Sequence, residues 1–170
     1  GMALGLRMDR CDAHVVVMLG DGELDEGQVW EAAMAGAKFG LSNLIAIVDY
    51  NNLQLDGSCD QIMPLEPLVA KWEAFNWRAI EIDGNDMDSV VWALDDAWSN
   101  HGGPTVIIAH TIKGKGVSYM EGQCDWHGKA PNDEQFAIAL AELDAAQLAL
   151  AARERALRST VREEVDPCRS

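Results

Sequence analysis

Two short clusters carry the residues best suited to chemistry. Gly20-Asp21-Gly22 closes one β-branched run, and Tyr50-Asn51-Asn52 closes another. Small residues between a strand and a helix let backbone amides approach a phosphate, and the following helix N-terminus adds positive potential. Fixed positive charge is scarce, however: 13 Lys and Arg face 28 Asp and Glu, a net charge of −15. Asp21, Glu23, Asp25 and Glu26 would oppose a diphosphate directly. A bridging divalent cation removes the conflict. Magnesium takes oxygen ligands octahedrally, often one or two carboxylates plus phosphate oxygens and water. Asp21 offers the carboxylate, Asn51 an amide oxygen, and the backbone of Leu53 a third oxygen. Positions 21 and 51 are separated by one strand-helix-strand step, so their loops should be neighbours.

Three other readings of these clusters are weaker. Asp-Gly is a common hairpin turn, but here a helix follows, not a returning strand. The dinucleotide pattern G-x-G-x-x-G lacks its third glycine, since Asp25 stands there and Gly27 comes two residues late. The Walker pattern fails because Gly116 follows Lys115.

The elements that must position these residues alternate. The spacing predicts a helix from Gly1 to Met8, a buried strand over His14–Leu19 and a helix over Gln28–Phe39, ended by Gly40. A strand over Asn43–Asp49 follows, then a helix over Pro64–Phe75 and a strand over Trp77–Ile82. Next come a helix over Met87–Trp98 and a strand over Pro104–Ala109. A Gly-rich loop leads to His127, and a helix runs from Asn132 to about Leu157. The expected fold class is α/β, a mostly parallel sheet with helices on both faces. One domain is expected over residues 1–158, with a charged tail over 159–170. Ligands of such sheets bind beyond the carboxyl ends of the strands. That edge holds Asp21, Asn51, Asp83 and Lys113.

Composition narrows the partners. Hydrophobic residues make up 48% of the chain, which is not a disordered composition. The acidity argues against nucleic acid and anionic membranes. No apolar run is expected to span a bilayer, and no signal peptide is evident. Cys11, Cys59, Cys124 and Cys168 lie far apart and read as reduced thiols of a cytoplasmic protein. Trp30, Trp92 and Trp98 read as core or interface packing. Glu26 reads as a charge matched to a helix N-terminus, and His127 and Lys113, taken alone, as loop residues.

The stretch GDGELDEGQVWEAAMAGAKFGLSNLIAIVDYNNLQLDG resembles the thiamine diphosphate motif of transketolases. The resemblance continues through IDGND, TIKGKGVSYME and WHGKAP, over roughly Gly1 to Asp144. It implies the thiamine diphosphate-binding fold and transfer of a two-carbon ketol unit between sugar phosphates. It implies that Asp21, Asn51 and the Leu53 carbonyl ligate Mg2+ (or Ca2+ or Mn2+). Gly22 meets the diphosphate through its backbone, with Gly20 and Glu23 in the same loop. His127 matches the family histidine that reaches diphosphate and substrate and is the catalytic candidate. Lys113 lies at the same mouth, and Glu26 near a subunit contact. An upstream stretch and the pyrimidine-binding domain of transketolases have no counterpart here. The resemblance therefore implies a fragment or split N-terminal subunit, working with a pyrimidine-binding subunit or domain in a homo-oligomer or heterotetramer. The alternatives are a truncated, non-catalytic homologue, or another thiamine enzyme such as a deoxyxylulose phosphate synthase.

Overall fold

The computed structural model describes residues 1–54 and 57–165, without the side chains of 157–165. It divides into two units, residues 1–113 and residues 114–170.

The first unit is built on four parallel strands: β1 (Val15–Gly20), β2 (Leu44–Tyr50), β3 (Arg78–Asp83) and β4 (Thr105–His110). Their spatial order is β1-β2-β4-β3. Gly20 lies opposite Asp49, and Tyr50 and Asp83 both lie opposite His110. All four strands therefore end level with one another. The period-two alternation of a strand splits the apolar residues between the faces. Ala46, Val48, Val106 and Ile108 face one way, against α2 (Gly27–Lys38) and α4 (Leu68–Ala74). Ile45, Ile107, Ile80 and Ile82 face the other way, against α5 (Met87–Trp98). Helices cover both faces, as expected.

The first face is organised by indoles. Trp72 is 1% exposed and lies 5.0 Å from Trp77 and 5.2 Å from Trp30, centroid to centroid. Trp77 donates its Nε1 proton to Ala33 O at 2.8 Å, tying β3 to α2. Helix α2 ends as the sequence suggests, with Gly40 at a φ of +58°, a left-handed conformation that glycine adopts without cost. Helix α1 (Met2–Met8) is held by Asn43, whose side chain donates to Ala3 O, and by Arg7, which donates to Gly40 O.

Two local expectations need correction. Strand β1 reads as buried in the sequence, yet Val16, Val17 and Met18 are exposed. The reason is the strand order, which leaves β1 at an edge, paired only with β2. The helix expected over Pro64–Phe75 is shorter, α4 (Leu68–Ala74), with both prolines before it, and an unexpected short helix, α3 (Cys59–Ile62), precedes Pro64. Proline lacks the amide proton a helix interior needs and disfavours helical geometry in the residue before it. Of the three tryptophans read as core or interface packing, Trp30 packs against the core, while Trp92 and Trp98 are half exposed. Trp98 stacks on His14 at 4.2 Å.

In the second unit the loop after Gly114 leads to α6 (Asp133–Val165). Tyr119 donates its hydroxyl proton to Gln135 O at 2.8 Å, and Glu142 accepts from Ser118 N at 2.7 Å. The helix runs on past Leu157, since no glycine or proline interrupts the chain before Pro167. Within Asp133–Ala156 an 18-residue window reaches the mean hydropathy, 1.3, of a helix long and apolar enough to cross a membrane. That corrects the expectation of no such run, which fails because alanine, not leucine, carries much of the hydropathy.

Candidate functional site at the carboxyl edge of the sheet

The centre of the site is Asp21. It follows the last residue of β1 and is 2% exposed. Its amide donates to Asp49 O at 3.2 Å, continuing the sheet by one residue. Its carboxylate then reaches across to the loop after β2. Oδ2 accepts from Asn51 N at 3.0 Å and from Asn52 N, while Oδ1 accepts from Gly22 N at 2.8 Å. A carboxylate has about four acceptor positions; three are taken by these amides, and the Cys59 thiol also lies within hydrogen-bonding reach of the group. The group is a buried carboxylate held by three backbone amides. Burying a charge without a counter-charge is expensive, and a cation beside it would supply one.

The second loop is shaped to present oxygen. Asn51 Oδ1 accepts from Leu53 N at 3.0 Å, which folds residues 51–53 into a side-chain-closed turn. Asn52 sits at a φ of +59°, a conformation asparagine tolerates better than most residues. Its amide group locks the returning chain: Nδ2 donates to Asp60 Oδ2 at 2.9 Å, and Oδ1 accepts from Asp60 N at 3.2 Å. Asp21, Asn51 and Leu53 thus lie in one hydrogen-bonded unit. Their donors would be a carboxylate, an amide oxygen and a backbone carbonyl, all hard oxygens suited to magnesium or calcium. Among the described residues no cluster of three or more His, Cys, Asp or Glu forms a metal cage. A cation here would complete its shell with oxygens from a ligand, which is how magnesium binds phosphates.

Gly22 is constrained by the Gln54 side chain, not by backbone conformation. A β-carbon there would sit 3.0 Å from Gln54 Cγ. Gln54 in turn donates to Asp25 Oδ2 at 3.0 Å, closing the 20–25 loop over the 51–54 loop. Glu23 folds back so that its Oε2 accepts from Gly20 N. Gly20, Asp21, Gly22, Glu23, Asn51 and Leu53 are therefore brought together as the spacing suggests.

The other edge residues are anchored in different ways. Lys113 follows β4, three residues beyond His110 and in the first unit. The intervening Thr111 donates its amide to Tyr50 O at 3.1 Å and its hydroxyl proton to Asp49, binding the end of β4 to the end of β2. Asp83 accepts from Asn85 N at 2.9 Å, and Asp86 caps α5 by accepting from Ser89 N at 3.2 Å. That acidic loop therefore spends its side chains on a turn and a cap. Gly84 beside it admits no side chain, since a β-carbon would lie 2.6 Å from Thr111 Cγ2. His127 belongs to the second unit. It is exposed, just after a short 3-10 turn over Cys124–Trp126.

Two features escape sequence reasoning. Cys59 is 1% exposed behind the 51–54 loop, where burial pushes its thiol up to about 11 and the Asp21 carboxylate adds to the shift. Nothing in the sequence marks it, because it opens a four-residue helix, too short to show a periodicity that reveals burial. The second is Tyr50, whose hydroxyl donates to Glu66 Oε1 at 2.7 Å. Burial raises the phenol's pKa, while the hydrogen bonds from Tyr50 and Leu68 N hold the Glu66 carboxyl below its usual value. Only the packing of α4 on the sheet brings residues 50 and 66 together.

Comparison with known proteins places this geometry. The family model of the transketolase thiamine diphosphate binding domain matches residues 7–149. The chain belongs to the transketolase family. It is 42% identical over 143 residues to one of the subunits of apulose-4-phosphate transketolase from Phocaeicola vulgatus, covering 84% of this chain and 51% of that protein. It is 45% identical over 144 residues to the 6-deoxy-6-sulfo-D-fructose transketolase subunit SqwG of a Clostridium species, covering 85% and 52%. The chain therefore spans about half the length of these relatives. Among solved structures, transketolase of Campylobacter jejuni superposes with a TM-score of 0.72 at 30% identity, over 76% of this chain and 20% of that one. The four-stranded sheet and its loops are thus a transketolase N-terminal, thiamine diphosphate-binding domain.

Proposed function

We propose that this chain anchors the diphosphate of thiamine diphosphate through a divalent cation held by Asp21, Asn51 and the Leu53 carbonyl. A pyrimidine-binding partner would complete the enzyme, and the reaction would be transfer of a two-carbon ketol unit between sugar phosphates. The observation that carries this reading is the buried Asp21 carboxylate, tied by backbone amides to the Asn51–Leu53 loop. The relatives named as transketolase subunits support a two-chain assembly. Free thiols at Cys11, Cys59 and Cys124 suit the reducing cytoplasm.

The chain's own residues have separable tasks in this reading. Asp21 holds the two loops together and carries the negative charge that attracts the cation. The Gly22 amide lies beside it, where small size permits close approach of phosphate oxygens. Lys113 adds positive charge at the same edge, which an acidic chain otherwise lacks. His127 would contact the diphosphate and the sugar substrate. The cofactor, when bound, supplies the carbon-carbon bond chemistry. Its activating carboxylic acid would come from the partner, so the chain alone should not turn over.

Isothermal titration of the chain with thiamine diphosphate tests the reading. Heat of binding should appear with magnesium and vanish in chelator. Equal affinity with and without a divalent cation would overturn the bridging-metal assignment.

A further inference from the structure

Asn52 stands between the two residues that would offer neutral oxygens to the cation, Asn51 and Leu53, and each of its polar groups is engaged. Its amide donates to Asp21 Oδ2. Its carbonyl accepts from Cys59 N at 3.1 Å. Its side chain meets Asp60 twice: Nδ2 donates to Oδ2 at 2.9 Å, and Oδ1 accepts from the Asp60 amide at 3.2 Å. A peptide unit is planar, so a bond on its N–H or its C=O restrains the direction of the whole unit. The bonds on Asn52 therefore restrain the units before and after it. The next unit is restrained in the same way, since Gln54 N donates to Gly57 O at 2.7 Å. The Leu53 carbonyl belongs to that unit. In a trans peptide N–H and C=O point in opposite directions, so this carbonyl is turned away from Gly57.

The turn does not take this shape by local preference. Asn52 has a φ of +59°, in a region that residues with a β-carbon enter at a cost. The contacts that oppose this cost come from Asp60, in α3 on the returning side of the loop. Asp60 is exposed, and its carboxylate is directed at Asn52.

We propose that Asn52 and Asp60 are positioning residues for the cation. Their paired side chains hold the 51–53 turn in the shape that offers the Asn51 and Leu53 oxygens. The inference rests on the bridging-cation reading above and deepens it. A turn held in its binding shape beforehand loses little freedom when the cation arrives; a loose turn must be ordered first, which weakens binding.

Calorimetric titration of the full chain with thiamine diphosphate, at a series of magnesium concentrations and below the onset of unfolding, tests it. Asp60→Ala removes the acceptor of Asn52 Nδ2 and should raise the half-saturating magnesium concentration by about tenfold. Asp60→Asn keeps an oxygen for that bond and should stay within about threefold of wild type. Asn52→Gly keeps the left-handed backbone but loses the side chain, and should weaken binding at least as much as Asp60→Ala. The double variant Asn52→Gly with Asp60→Ala should be no worse than Asn52→Gly, because the pair acts as one interaction. Excess magnesium should restore thiamine diphosphate binding in all of these, but not in Asp21→Ala, which lacks a ligand. Circular dichroism should show each variant folded. Asp60→Asn as weak as Asp60→Ala would assign the effect to charge and overturn the clamp. Wild-type half-saturation in Asp60→Ala and Asn52→Gly would overturn it as well, and would leave the bridging cation standing. A wild type without magnesium-dependent binding would overturn the bridging-cation reading itself, and the clamp with it.

Discussion

Removing the Asp21 carboxylate should damage the fold as well as the cofactor site. In Asp21→Ala three backbone amides, those of Gly22, Asn51 and Asn52, lose their acceptor. Residue 21 is 2% exposed, so water cannot replace the carboxylate freely. An unsatisfied buried donor costs about 1–3 kcal/mol, giving roughly 3–9 kcal/mol for the three. Loss of a desolvated charge offsets part of that, and a net cost of about 3 kcal/mol is expected. For a chain of this size the melting temperature should fall by roughly 6–12 °C. Asp21→Asn is the informative companion. Its single oxygen can keep accepting from Asn51 and Asn52, leaving one amide facing an amine, at about 1–2 kcal/mol. Urea denaturation followed by fluorescence of the Trp30, Trp72 and Trp77 cluster, without metal or cofactor, measures both costs. Asp21→Ala within about 1 kcal/mol of wild type would refute the clamp. So would Asp21→Asn proving as harmful as Asp21→Ala. Both variants should also lose metal-dependent thiamine diphosphate binding, a readout separable from stability at low temperature.

Three further outcomes are expected. Gly84→Ala should destabilise by about 1–3 kcal/mol in the same urea assay, since its β-carbon would overlap Thr111 and Ala109. The Tyr50–Glu66 pair should make stability pH-dependent: the folded carboxyl is held below its ordinary value of 4.5, so its contribution is present above that pH and lost on acidification below it. Tyr50→Phe should flatten this part of the profile between pH 6 and the acid limit, as read by denaturation midpoints; an unchanged profile would refute it. His127→Ala, reconstituted with a pyrimidine-binding partner, should lower ketol transfer while leaving the melting temperature nearly unaltered, as befits an exposed loop residue; normal transfer with lost stability would reverse that assignment.

Alternation of apolar runs with helical spacing is enough, from sequence alone, to determine a parallel α/β sheet. The Gly20-Asp21-Gly22 and Asn51-Asn52 clusters then have to sit at its carboxyl edge, because each directly ends a strand. Local chemistry is legible in this way when one short segment contains both the residues and their cause. The glycine stop of α2 and the Asp86 cap of α5 are of the same kind. What the sequence does not show depends on contacts between distant segments. The edge position of β1 follows from its pairing with β2 alone among the described strands, a choice made by sheet packing and not by the strand's own residues. The late start of α4, after Pro64 and Pro67, escapes a reading in which apolar spacing outweighs two missing amide protons. The clamping role of Asp21 is invisible in sequence, since metal ligation and amide capture call for the same carboxylate. Only the register of Gly20 on Asp49 places that carboxylate over the amides of Asn51 and Asn52. The same holds for buried Cys59 and for Tyr50 on Glu66, where tertiary packing decides which polar groups leave water and therefore which must find one another.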